Sequence, residues 1–412
     1  MDRTCRRERL QVFRTNFFLY LLSLSILFLS SACADDWPQW LGPERNGTST
    51  ETGWNQNWKK EGLETLWTFE AGIGFTPPSI ASGLLVTLGY DSGNDVVYCL
   101  KPESGEEVWS YSYPCGVHDY QHEGGPAAAP AIDGDRVYTY SRDGELFCFE
   151  IGTGRIVWRE RLHDRFKAEE GLFGYIGSPV VAGDLVIVDA GAAAALDKKT
   201  GELVWNSENF RTTCASPQLA TLGGADVVSL FNATGLVLFE VGTGKEFSRK
   251  SWITPKFDTN TATPVFVDSK VFITSGYDRG YALLEIEGRK EPGVLWKDED
   301  ARTYHNNFIP KEDHLYGFIE KDFVCLSVES GKILWRENLP VKGCQILVDG
   351  KFLIYSEKGE LILAKADPKG YEELGRTHNL GGTCWTPPVL ANGRIYLRNS
   401  KGKIVCLDAR LK

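Results

Sequence analysis

The stretch Ala195-Leu196-Asp197-Lys198-Lys199-Thr200-Gly201-Glu202-Leu203-Val204-Trp205 decides the fold of this chain. It reads as the end of one strand at Leu196, a tight turn at Thr200-Gly201, and a second strand that ends on an aromatic ring. Upstream, Pro179 opens a run of short strands with alternating apolar and polar residues. Residues 130–158 repeat the same order of parts: a proline, a few apolar residues, Asp133-Gly134-Asp135, the alternating Arg136-Val137-Tyr138-Thr139-Tyr140, then Gly152-Thr153-Gly154 and Trp158. Further copies start at Pro78, Pro217, Pro264, near Ile309, near Cys344 and at Pro388. The eight starts lie 35 to 52 residues apart, the length of a four-stranded propeller blade.

The eighth copy stops at Asp408-Ala409 without its Trp strand, while Leu66-Trp67-Thr68-Phe69 is a Trp strand without a preceding repeat. Pairing the two closes a ring and removes the open edge between first and last blades. The expected fold is therefore all-β, an eight-bladed β-propeller closed by an N-terminal strand. Residues 63–412 form the propeller and residues 35–62 an arm that either caps the rim or serves as a contact. Helical periodicity is absent. Trp109, Trp158, Trp205, Trp296 and Trp335 end outer strands and are expected to pack between neighbouring blades.

Residues 1–34 have the parts of a secretory signal: Arg3, Arg6, Arg7, Arg9 and Arg14, an apolar run over residues 17–29, and Ala32-Cys33-Ala34 ahead of Asp35. Cleavage after Ala34 is the preferred reading, and lipidation of Cys33 the alternative. Cleavage leaves no transmembrane span and points to an exported, periplasmic monomer. The 412 residues are 42% hydrophobic and 24% charged, so the chain has the apolar surface to build a core; its net charge is -10. Removing residues 1–34 makes the remainder more acidic still, which excludes a phosphate-neutralising, nucleic-acid-binding surface.

Eight cysteines follow the signal. Cys99, Cys148, Cys325 and Cys406 occupy one equivalent strand position and read as small buried packing residues. Cys344 and Cys384 begin neighbouring blades and are the pair to test for a disulfide.

The units at 130–158 and 179–205 resemble the repeat of pyrroloquinoline-quinone (PQQ)-like eight-bladed propellers, a family that includes quinoprotein alcohol dehydrogenases and BamB-like scaffold proteins of the cell envelope. Asp36-Trp37-Pro38-Gln39-Trp40-Leu41-Gly42-Pro43 resembles the start of exported members of that family. The resemblance spans residues 36–409 and implies a fold more specifically than an activity.

Residues that repeat eight times serve the fold, so function is sought where the chain departs from its own repeat. These departures are the segments joining an outer strand to the next inner strand, which a propeller gathers around one mouth. They include residues 115–126 with His118, Tyr120, His122 and Glu123; Gly174-Tyr175; Arg211-Thr212-Thr213-Cys214; Lys256-Phe257-Asp258-Thr259-Asn260; Arg302-Thr303-Tyr304-His305-Asn306-Asn307; and Thr383-Cys384-Trp385. Arg211, Arg302, Trp385, Tyr120, Tyr175 and His305 form the candidate ligand mouth.

The preferred function is an exported, non-catalytic binding or scaffold propeller of the bacterial cell envelope. It would bind a small ligand or an envelope protein at the central-channel face, with no cofactor expected. The alternative is a PQQ- and Ca-dependent quinoprotein oxidoreductase acting on an alcohol or sugar. In that case Asp258 is the catalytic base and Glu123 with Asn260 hold the metal. The vicinal cysteine pair typical of the alcohol dehydrogenases is absent, as is a Cys-x-x-Cys-His haem site, and both gaps count against the enzyme. No Gly-x-Ser-x-Gly elbow supports a serine hydrolase.

Overall fold

The computed structural model describes residues 35–58, 62–304 and 306–411. The expected signal segment, with Cys33, lies outside the described residues. Among the described residues, eight sheets of four antiparallel strands, one of them extended by a short parallel strand of the arm, account for nearly all regular structure, alongside one short helix, Leu162–Phe166. The innermost strands are Ser79–Ala81, Ala131–Asp133, Val180–Ala182, Gln218–Leu222, Val265–Val267, Ile309–Lys311, Gly343–Val348 and Val389–Ala391, each at or next to a start read from the repeat. We number the blades one to eight in that order. In the eighth, Thr65–Glu70 supplies the outermost strand against Lys403–Asp408, with Trp67 opposite Cys406.

The repeated tryptophan explains how blades dock. In six blades its indole N–H donates to a backbone carbonyl of the next blade: Trp67 to Pro102, Trp109 to Ile151, Trp158 to Lys198, Trp205 to Val241, Trp296 to Val328 and Trp335 to Asp367. The bonds measure 2.7–3.1 Å. In five of these contacts the ring lies flat on the glycine of the next blade's Thr-Gly or Ser-Gly turn; Gly201, for example, faces Trp158. A Cβ there would enter the indole, which is why the turn carries glycine beside the tryptophan. Within the sheet, Cys99, Cys148, Cys325 and Cys406 sit opposite the tryptophan of their own blade and are fully buried. A small apolar side chain there leaves room for the indole. Where the tryptophan is replaced, other groups fill the seam: Arg289 lies over Phe247, and Trp58 of the arm packs beside Gly375.

The arm lies against the ring. Trp37 exchanges two backbone hydrogen bonds with Ile80 of blade one, and the Pro38 carbonyl accepts from Ile132 of blade two. Arg45 donates to the Val181 carbonyl of blade three and accepts from the Gln218 amide of blade four. Trp40 donates to Thr263 at the entry of blade five, and Gly47 rests on Ile309 of blade six. Thr48–Ser49 pairs in parallel with Gly343–Val348 of blade seven, and Asn55 donates to the Ala409 carbonyl beyond blade eight. Residues 37–49 thus run along the inner strands of blades one to seven, and residues 55–58 reach outward between blades seven and eight. Among the described residues no helix is long and apolar enough to cross a membrane.

Candidate functional site

The joins between blades converge on a cavity of about 360 Å³. Every join contributes to its wall: Phe75, His122, Phe173, Cys214, Thr261, Tyr304, Lys342 and Trp385 come from the eight successive joins, starting with the one that enters blade one. Trp40 enters from the arm, on the inner-strand side. Arg142 and Tyr277 reach in from the hairpin turns of blades two and five.

The aromatic side chains form a collar. Phe173 stacks on His122 at 5.6 Å, His122 stands edge-on to Phe75 at 5.3 Å, and Phe75 stacks on Trp385 at 5.5 Å and 17°. Lys342 bridges onward, with Nζ 5.5 Å from the Trp385 ring centre and 5.0 Å from that of Tyr304. Tyr304 meets Tyr277 edge-on, and Tyr277 meets Phe257. The Glu357 carboxylate fixes Trp385 by accepting its indole N–H at 3.2 Å. It also lies 4.0 Å from Lys342. The collar is interrupted on the side of blades two to four, where Arg142, Ser178, Ser216 and Cys214 line the cavity instead.

Arg142 is 2% exposed. One of its terminal nitrogens donates to the carbonyls of His118 and Phe173, both at 3.2 Å, while Nε has no partner. Burial lowers its pKa to about 10, so the guanidinium remains charged at neutral pH. Burial, then the nearby Arg142 charge, hold His122 down at about 4, so that imidazole is neutral. The Gly124 N–H donates to His122 Nδ1 at 2.9 Å, which puts the ring proton on Nε2. Burial also raises the Cys214 thiol to about 11, leaving it protonated.

Of the residues expected at the mouth, Trp385 lines the cavity and Tyr120 stands at its rim, 45% exposed and 6.2 Å from Phe173. Tyr175 is buried behind the wall, where its hydroxyl meets His163 at 3.0 Å and its ring packs on Tyr140. Arg211 and Asp258 are brought together as an ion pair at 3.2 Å, with Glu169 on the other side of the guanidinium, and neither lines the cavity. Arg302 lies in a separate outer depression beside Asp278, Arg279, Glu299 and Asp300. His305 lies outside the described residues. Asn260 is fully buried, accepting from Thr254 and Ser275 and donating to the Asn232 carbonyl, so it holds loops together. Glu123 accepts from Ser400 at 2.7 Å. Cys344 and Cys384 are separate thiols: Cys344 donates to the Trp385 carbonyl, and Cys384 accepts from Tyr355.

The lining does not suit a Ca-bound quinone cofactor. Among the described residues no carboxylate lines the cavity, whereas Ca²⁺ needs several oxygen ligands and the reaction a base. Among the described residues no group of three or more His, Cys, Asp or Glu side chains is placed to hold a metal ion.

The fold and repeat define an eight-bladed propeller of the PQQ-like class, with a ligand-sized cavity on its axis. A family model described as outer membrane protein assembly factor BamB matches residues 116–337, more than half of the chain, and the chain belongs to that family. BamB from Moraxella catarrhalis superimposes with a TM-score of 0.62 at 18% identity, over 84% of this chain and 99% of that one. Tetrathionate hydrolase of Acidithiobacillus ferrooxidans is 23% identical over 81% of this chain and 58% of its own length. A quinohemoprotein alcohol dehydrogenase, ADH IIB of Pseudomonas putida, is 29% identical over 30% of this chain and 18% of its own length. The chain thus spans less than two thirds of these curated relatives.

Proposed function

We propose that this protein is an exported, non-catalytic binding propeller of the cell envelope, which takes a small ligand or a partner's side chain into the axial cavity. One observation carries this reading: all eight joins and the arm converge on one cavity, walled for the most part by an aromatic collar with donors and flat apolar faces, and among the described residues no carboxylate lines it. Such a lining binds by stacking and hydrogen bonding, and burial keeps His122 neutral, Cys214 protonated and Arg142 charged at neutral pH. Membership of the BamB family supports a binding role over a redox one. Export rests on the sequence of residues 1–34 and is tested by N-terminal sequencing of the protein from the envelope fraction: Asp35 as first residue is expected, and a start at Met1 overturns it.

The binding reading is tested with 2-naphthol, a neutral flat arene, followed by tryptophan fluorescence and calorimetry on the purified protein. Saturable one-to-one binding is expected, weakened roughly tenfold or more in Trp385→Ala, since stacking of this kind contributes about 0.5–1.5 kcal/mol beyond the lost area. No binding, or binding indifferent to Trp385→Ala, overturns it.

A further inference from the structure

The break in the aromatic collar has a distinct chemistry. Arg142, Ser178 and Ser216 line it. The Ser178 oxygen accepts the Ala129 N–H and the Ser216 oxygen accepts the Ser178 N–H, both at 2.9 Å, which leaves each hydroxyl hydrogen to donate. On the adjoining collar, His122 carries its proton on Nε2. Arg142 is a charged group almost wholly removed from water, and among the described residues it has carbonyl partners and no ion pair. Asp95, a buried carboxylate beside the Cys115 thiol, attracts the guanidinium through space, but among the described residues no hydrogen bond or ion pair joins the two. A buried, unpaired cation is costly to the fold unless an anion meets it. The carboxylates near this region, Asp143 and Glu170, are turned to His118.

From this juxtaposition we infer that the cavity recognises a small arene bearing one carboxylate, with its ring in the collar and its carboxylate against Arg142 and the two serine hydroxyls. The inference rests on the binding reading above and goes further by assigning the charge of the ligand. A carboxylate accepts two parallel N–H bonds from a guanidinium, so the break selects charge and planar geometry together. The remaining charged group on the wall, Lys342, already lies near Glu357 and over two rings, and contributes general attraction.

The test compares 2-naphthoate with 2-naphthamide, which share a ring system and differ in charge, by calorimetry on the full protein at neutral pH. The acid is expected to bind roughly 10- to 100-fold more tightly, as a hydrogen-bonded charge pair contributes in a dry site. Arg142→Gln should abolish the preference, so that acid and amide bind equally when both are measured on that variant. Lys342→Met, on the collar away from the break, should lower acid binding by less than Arg142→Gln. A wild-type protein that binds acid and amide equally overturns the charge assignment while leaving the binding reading standing, and needs no variant to fold. Binding of neither acid, amide nor naphthol overturns both. Acid preference that survives Arg142→Gln but is lost in Lys342→Met overturns the role of Arg142.

Discussion

Replacing Gly201 by alanine tests the interblade contact directly. The added methyl would lie 2.7 Å from Trp158 Cδ2 and 2.8 Å from Cε3, closer than Cβ atoms come to a ring, and the backbone there has φ of +78°. Two effects add. An alanine held in the left-handed region costs about 1–2 kcal/mol, and overpacking a closed contact costs a further 1–3 kcal/mol or so, giving roughly 2–5 kcal/mol together. Gly183→Ala separates them: its φ is +59° and nothing lies within 4 Å of the new methyl, so only the backbone effect applies. Urea unfolding followed by tryptophan fluorescence and far-UV circular dichroism should place Gly201→Ala below Gly183→Ala by about 1–3 kcal/mol, at similar denaturant slopes. Adding Trp158→Ala to Gly201→Ala should remove that extra loss, seen as a coupling of similar size in a double-mutant cycle. Equal destabilisation by the two glycine replacements, or no coupling to Trp158, would refute the account of how the blades dock.

Arg398→Met should destabilise by about 2–5 kcal/mol in the same assay. The buried guanidinium donates to the carbonyls of Thr76, Leu88 and Gly72 and to the Thr87 hydroxyl, tying blade eight to blade one, and its removal leaves those acceptors dry; a loss below 1 kcal/mol would count against this role. Asp95 is buried beside the Cys115 thiol, and desolvation raises its pKa to about 7, above its ordinary 3.8. An acid whose folded pKa lies above its unfolded one binds the extra proton in the native state, so its contribution is full below pH 3.8 and is lost as pH rises towards 7. Asp95→Asn should therefore gain stability relative to the wild type between pH 4 and pH 8, measured as the difference in unfolding free energy at the two pH values; a gap that does not change with pH removes the argument.

The architecture was open to sequence reasoning because its signals are local and repeated. Pro179, Thr200-Gly201 and Trp205 carry one blade within a short span, and each of the eight starts has its inner strand. The closure by Thr65–Glu70 was legible because one copy lacked a part that another stretch had spare. The cavity was legible only in outline. Trp385, Tyr304, Cys214 and His122 stand in segments that depart from the repeat, and they line it. Within those segments nothing local sets which side chain turns inward: in the join after blade two it is Phe173, and Tyr175 two residues on is buried behind it. Arg142 and Tyr277 belong to hairpin turns within blades, outside the joins where departures were sought; the tyrosine and arginine interrupting otherwise small, polar turns were the available signal. Trp40 had no periodicity to place it, because the arm takes its course from the ring it lies against.

The ring is fastened by partners from opposite ends of the described chain: Trp67 faces Cys406, and Asn55 bonds to Ala409. Strand Thr65–Glu70 has no sheet to join until Lys403–Asp408 exists, so the earliest propeller segment to be synthesised waits on the latest. Loop closure over such a span is entropically slow to nucleate. A chain that ends short of Lys403 would leave two raw sheet edges for chaperones or proteases to find.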